Sequence, residues 1–156
     1  MIYFLFAMER EAKMLEVPNK KIIGINGNNM PFTTDDDILV NIGYCGGYKI
    51  PVGTIIEPAF AIDAKTYEIA RIDRLFNIPS CLCVTSDKFV EEPVDKEMAC
   101  VYDMELFKVA QIPHKKLYAV KIVSDNLDEA ACEAFNSESA WKNVQRMINK
   151  FIKENM

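Results

Sequence analysis

Hydrophobic residues in this chain fall in short runs separated by polar, turn-forming stretches, and the period inside each run sets the element it predicts. "IYFLFA" (residues 2–7) is an unbroken apolar run of strand length. "MEREAKMLE" behind it is rich in helix formers and places Met8, Ala12 and Leu15 on one face, so a helix follows the strand. Residues 18–37 hold Asn-Gly turn chemistry, Pro18, Pro31 and an acidic triplet, with one short strand expected over 21–25. "DILVNIGYCGGYKIPVGTIIEP" (37–58) then reads as a strand ending in a glycine-rich turn, with a second strand, "VGTIIE", beyond it.

Further along, "AKTYEIARID" (64–73) alternates like a half-exposed strand, though its length also allows a helix. "SCLCVTS" (80–86) and "KLYAVKIVS" (116–124) are buried strands, and "DMELFKVAQI" (103–112) is a helix stopped by Pro113. The final stretch, "SAWKNVQRMINKFIKEN", gathers Trp141, Val144, Met147, Ile148, Phe151 and Ile152 on one face, with Ser137 or Ser139 placed to cap it. Strands alternating with helices predict an α/β domain with a covered sheet, and no linker or repeat divides residues 1–156.

Charge and composition narrow the function. Eighteen Lys and Arg against 23 Asp and Glu give a net charge of -5, and no basic cluster exceeds the Lys20-Lys21 or Lys115-Lys116 pairs, so nucleic acid is not an expected partner. The N-terminal run has strand length, no basic leader and no cleavage site, and no apolar stretch approaches the roughly 20 residues that span a bilayer. Five cysteines, an odd count set mostly in apolar runs, suit buried thiols in a reducing compartment; the expected location is cytoplasmic. Cys81 and Cys83 share one strand face, but with no second pair and only His114 in the chain, neither a metal nor a cofactor is expected. His114, after Pro113 and before two lysines, belongs to a solvated turn, so acid–base chemistry falls to carboxylates.

Five short stretches then matter as a set: "FAMEREAKML", "VNIGYCGG", "VTSDKFV", "VYDMELFKVAQI" and "VKIVSDNLDE". In this order they resemble the nucleoside phosphorylase superfamily, and within it most the 5′-methylthioadenosine/S-adenosylhomocysteine nucleosidases. The resemblance implies a three-layer phosphorylase/hydrolase-like α/β domain, with a mixed central sheet flanked by helices and trimmed relative to the family. It also implies chemistry: breakage of an N-ribosidic bond through a ribosyl cation-like transition state, in which the departing purine needs a proton, the sugar nearby negative charge, and the incoming water a base. Carried over residue by residue, Asp125 of "VSDN" becomes proton donor toward N7 of the purine, Glu105 of "DMEL" holds the ribose hydroxyls, and Glu11 of "AMERE" activates water. Phe89 would stack on the base with Val90 beside it, and Met104 would pack under the sugar.

Each of these residues also has a plainer reading. Glu11 fits a solvated helix face, Glu105 a favourable helix start, Phe89 the core, and Asp125 a cap on the next segment. Two positions depart from the phosphorylases of the superfamily: Asn41 stands where an arginine is usual, and Tyr44 where a serine or threonine is usual. Tyr44 would then bond the water or fill space, and water rather than phosphate becomes the nucleophile. Segments that wall the ribose and the base in the family are short here. Three functions therefore stand: a purine nucleosidase for methylthioadenosine-like nucleosides, a degenerate relative that binds a nucleoside or other small ligand without turnover, and, last, a purine nucleoside phosphorylase. A homodimer is the expected assembly, because a trimmed chain has apolar surface to cover.

Overall fold

The computed structural model describes residues 1–156. Its elements run β1 (Ile2–Phe6), α1 (Glu9–Ala12), β2 (Lys20–Ile22), a 3-10 turn (Ile25–Gly27), β3 (Ile38–Tyr48), β4 (Ile55–Ile56), β5 (Phe60–Asp63), β6 (Ile69–Arg71), β7 (Leu82–Thr85), β8 (Cys100–Asp103), α2 (Leu106–Val109), β9 (Lys116–Asp125), α3 (Glu129–Ala134) and α4 (Glu138–Asn155). All nine strands join one mixed sheet in the order β2-β1-β3-β8-β7-β5-β6, with β9 pairing β3 and β4. β3 is the hub. Its first residues run parallel to β1, nearly its whole length runs parallel to β9, and its last three residues turn antiparallel to β8.

Side-chain alternation sorts the sheet into two faces. Phe4, Phe6, Val40, Ile42, Tyr44, Val120 and Ile122 point to one side, where they pack on Trp141, Val144, Ile148 and Phe151 of α4. Leu5, Leu39, Cys45, Leu117, Ala119 and Val123 point to the other, against Leu106, Phe107 and Val109 in and beside α2. The result is three layers, helix, sheet, helix. α4 is amphipathic at the spacing its sequence predicts and is capped by Ser137, whose hydroxyl accepts from Ala140 N at 3.3 Å.

Several expectations are corrected. The glycine-rich segment is no turn: Gly43, Gly46 and Gly47 lie inside the eleven-residue β3, and none has a positive φ. What they supply is absent volume, since a Cβ on Gly43 would sit 2.7 Å from Glu11 Oε2, and one on Gly46 would sit 3.1 Å from Asp125 Oδ2. The helix expected over 103–112 is shorter: Asp103 is the last residue of β8 (Cys100–Asp103), and α2 spans only four residues after it. The first helix is also four residues long, because Pro18 and the return of the chain to the sheet at Lys20 leave it no room to continue. The second strand after the glycines shrinks to Ile55–Ile56, the 64–73 stretch supplies only Ile69–Arg71, and β5 and α3 carried no clear local signal. No helix is long and apolar enough to cross a membrane.

Trp141 ties α4 to β3: its indole Nε1 donates to Tyr44 Oη at 3.0 Å, and the two rings meet edge to face at 5.5 Å. Trp141→Phe should lower stability by about 1 kcal/mol through the lost hydrogen bond, and Trp141→Ala by about 3–5 kcal/mol through the cavity as well. Urea unfolding checks both; an alanine variant as stable as the parent would show that α4 is not anchored there.

Candidate active site

Three short connections converge where β3 and β9 end. α1 follows β1 directly and turns Glu11 back over the sheet: Oε1 accepts from Met8 N at 3.0 Å, capping its own helix, and Oε2 accepts from Tyr44 N at 2.7 Å over Gly43. Burial pushes the Glu11 carboxyl up, opposed by those two N–H groups and by the charges of Lys121 and Arg10. It is a buried carboxylate of α1 bonded to a strand N–H, not a solvated residue of the helix.

Asp125 closes β9 just after a register shift, in which Cys45 faces Val123 while Gly46 faces Asp125, so Ser124 is the extra residue of a bulge. Only 1% of Asp125 is exposed. Its Oδ1 accepts from the Ser124 hydroxyl at 2.7 Å, and its Oδ2 accepts from Leu127 N at 2.9 Å and Asp128 N at 3.2 Å. These bonds fold the turn after β9. The helix that follows is capped by Asp128, which accepts from Ala131 N, so Asp125 is a buried turn-forming carboxylate and not a helix cap.

Glu105 sits between β8 and α2. Asp103 takes the capping role there, accepting from Leu106 N at 2.8 Å and from the Thr85 hydroxyl at 2.6 Å. Glu105 makes no such bond and is 5% exposed; its nearest opposite charge is Lys121 Nζ, at 3.7 Å. Burial pushes its carboxyl up to about 8, with Asp103 and Glu11 adding to the effect and Lys121 opposing it.

Glu11, Tyr44, Phe89, Met104, Glu105 and Asp125 all line one cavity of about 270 Å³. That is just below the range of ligand-pocket sizes, which begins at about 300 Å³. Tyr44 presents its ring there while its hydroxyl is held by Trp141, so it fills space against α4. Val90 packs instead beside Val84, Cys100, Tyr102 and Leu127. Asn41 is inside the sheet, donating to Leu5 O at 3.1 Å. His114 lies in a half-buried turn with Nδ1 2.8 Å from Ile112 O. All five cysteines are free, and burial pushes the Cys45 and Cys83 thiols well up, which leaves them unreactive.

Sequence reasoning missed part of this wall. Arg10 lines the cavity with its guanidinium 4.9 Å over the Tyr44 ring while donating to Cys132 O at 3.2 Å. Asp103, Glu129 and Glu133 raise the number of lining carboxyl groups to six, against that one guanidinium. Beneath them lies Lys121, wholly buried, 3.0 Å from Asp103 Oδ2. A cavity with this balance attracts positive charge and repels a phosphate dianion. Alternation along "KLYAVKIVS" gave the face of Lys121, but nothing local shows that the face is covered there.

A mixed sheet lies between helices, with a carboxylate-lined cavity at the ends of its central strands, and the whole is an α/β domain. Among solved structures, the chain is similar to a variant of CT263 (MTAN) from Chlamydia trachomatis bound to MTA, with 13% identity, 99% of this chain and 97% of that chain covered, and a TM-score of 0.73. It is also similar to a futalosine hydrolase mutant of Helicobacter pylori (14% identity, 98% and 98% covered, TM-score 0.69). A third likeness is to the 5′-methylthioadenosine/S-adenosyl homocysteine nucleosidase of that bacterium (14%, 96% and 97%, TM-score 0.69). The chain shares the fold of these three solved structures along nearly its whole length. No protein-family model and no curated protein sequence matches the chain.

The raised Glu105 carboxyl links stability to pH. Its ordinary value is 4.5, so the folded state binds the proton more tightly than the unfolded one; the contribution is complete below 4.5 and is lost as pH rises toward about 8. Urea midpoints measured from about pH 5 to about pH 8 should therefore fall, and Glu105→Gln should remove part of that fall. An identical pH dependence in the glutamine variant would mean that Glu105 ionises normally.

Proposed function

We propose that the protein is a purine nucleosidase that hydrolyses the N-ribosidic bond of methylthioadenosine-like nucleosides. The observation that carries this reading is the meeting of Glu11, Glu105 and Asp125, from three separated parts of the chain, around one cavity beside Phe89 and Met104. In the proposed step the C1′–N bond breaks with its electron pair going to the base, while Asp125 delivers a proton to N7. Water then attacks C1′ and gives its proton to Glu11. Glu105, set at the cavity wall, holds the ribose hydroxyls and faces the positive charge that develops on the sugar. Free base and free sugar leave, and proton exchange with solvent restores Asp125 and Glu11.

Water is favoured over phosphate for a specific reason. The single lining guanidinium, Arg10, is tied to Cys132 O and to the Tyr44 ring, and Asn41 faces Leu5 inside the sheet. A dianion would meet six carboxyl groups and no free cation. One observation supports binding without turnover: both oxygens of Glu11 and both of Asp125 already accept hydrogen bonds within the protein, which must rearrange before either group moves a proton.

The test is incubation with methylthioadenosine, adenosine and inosine, with and without phosphate, followed by chromatography for free base. Release independent of phosphate is expected, and Asp125→Asn should lower it by about 10² to 10⁴ while leaving folding intact, since an asparagine oxygen still accepts the turn N–H groups. Ribose 1-phosphate among the products would overturn the hydrolytic assignment, and equal rates for parent and variant would remove the proton-donor role. Binding of adenine without turnover in either protein selects the binding reading.

A homodimer remains the proposed assembly. Ile22 and Phe32 share one groove, Phe32 is 92% exposed, and the half-exposed Ile25 lines the cavity, so the chain has apolar surface to cover. Sedimentation equilibrium at micromolar concentration should report twice the chain mass; a single-chain mass would refute it.

A further inference from the structure

Lys121 is the one basic side chain with no exposed surface. It projects from β9 between Gly43 of β3 and Ile56 of β4, and its ammonium meets two carboxyl groups, Asp103 Oδ2 at 3.0 Å and Glu105 Oε1 at 3.7 Å. The Asp103 contact is the shorter of the two, and the charges of both carboxyl groups hold the ammonium in place. One buried cation can balance only one carboxylate. If both ionise, a net negative charge is left in a region that water does not screen.

Hydrogen bonding decides which of the two keeps the cation. Asp103 has the Thr85 hydroxyl and the Leu106 N–H directed at it, and the same hydroxyl accepts from Phe107 N at 3.0 Å, so the carboxylate is fixed at the start of α2. Glu105 has neither a hydrogen bond nor the shorter approach. Burial alone would push Asp103 up, but the Lys121 charge and those donors hold it below its ordinary value; for Lys121, burial is outweighed by the Asp103 and Glu105 charges, which push it up. The charged or titratable groups that bear on Glu105 are Lys121 of β9, Asp103 of β8, Glu11 of α1 and Lys108 of α2; the Cys83 thiol of β7 bears on Lys121.

We propose that Asp103, Lys121 and Glu105 form a charge-sharing triad in which Asp103 is a positioning residue: by taking the buried ammonium, it leaves the Glu105 carboxyl free to change its charge when a ligand fills the cavity. In the empty site Glu105 holds a proton, so three buried carboxylates are not forced together beside one cation. A ligand that brings positive charge to the cavity wall favours loss of that proton to solvent. The triad supplies this change without moving the backbone, because the Thr85 and Leu106 bonds keep Asp103 in place. Its kinetic consequence rests on the nucleosidase reading; the charge sharing itself does not.

The experiment is carboxyl carbon NMR on protein labelled at glutamate, with the Glu105 signal identified by its loss in Glu105→Gln. In the parent, the Glu105 midpoint is expected at about 8. Asp103→Asn should lower it by about one pH unit or more, because Lys121 then serves Glu105 alone, while Lys121→Arg should leave it within about one unit of the parent. Lys121→Met should raise it, or keep Glu105 protonated throughout; should that variant fail to fold, the other two still decide, since asparagine caps α2 about as well as aspartate. A midpoint that is unchanged or raised in Asp103→Asn overturns the triad. The alkaline-side rise of kcat/KM should move with the NMR midpoint in each variant. If the midpoints shift as stated but no nucleoside is turned over, the triad stands and the nucleosidase reading falls.

Discussion

The parallel ladder between β3 and β9 is the constraint on which the site depends. It runs from Ile38 opposite Lys116 to Gly46 opposite Asp125, and it sets Gly43 beside Lys121 and Tyr44 beside Ile122. Because successive side chains alternate faces, a slip of one residue would send Val120 and Ile122 away from α4 and drive the Lys121 ammonium into the aromatic side of the core. The register is thus enforced by both cores at once. Two of the carboxylates depend on it directly, Glu11 through the Tyr44 N–H and Asp125 through the bulge at Ser124.

Burying this many acidic groups is costly, and the structure offsets the cost unevenly. Glu11 and Asp125 are compensated by backbone N–H groups, and Asp103 by a hydroxyl, an N–H and an ammonium. Glu105 receives almost nothing. A carboxyl that the fold buries without stabilising its charge is the expected mark of a group used for something other than stability. The fold by itself would not make that case, since one architecture carries many activities; the argument rests on where these side chains meet.

The cavity also shows how little regular structure a site of this kind requires. α1 and α2 are single turns, and α3 buries none of its own residues. Ala12 of α1 and Leu106, Phe107 and Val109 of α2 reach the cores, and individual polar contacts complete the hold: Arg10 to Cys132 O, Thr85 to Asp103 and Asp125 to the N–H groups after β9. Strand ends supply the rigid frame, and short connections supply most of the carboxyl groups that line the cavity.

Local pattern was enough for β1, β7 and β9, which are apolar runs of strand length buried on both faces, and for α4, whose period of 3.6 one face of the core imposes directly on the sequence. It failed at β3, where Gly43, Gly46 and Gly47 read as a turn although they are strand residues whose missing side chains admit Glu11, Asp125 and Val123. It failed again at Asp103, which resembles a helix start while the chain there still pairs with β7. The motif order picked out Glu11, Glu105 and Asp125 in the chain, but no local signal marked Lys121, because a lysine in a strand is ordinarily solvated. Only the tertiary structure decided that Lys121 is buried between two acids, that Asp103 and not Glu105 caps α2, and that Tyr44 is held by Trp141 from a helix 97 residues away. The physical reason is that periodicity is a property of neighbours along the chain, whereas the cost of a buried charge is set by whatever long-range pairing brings beside it.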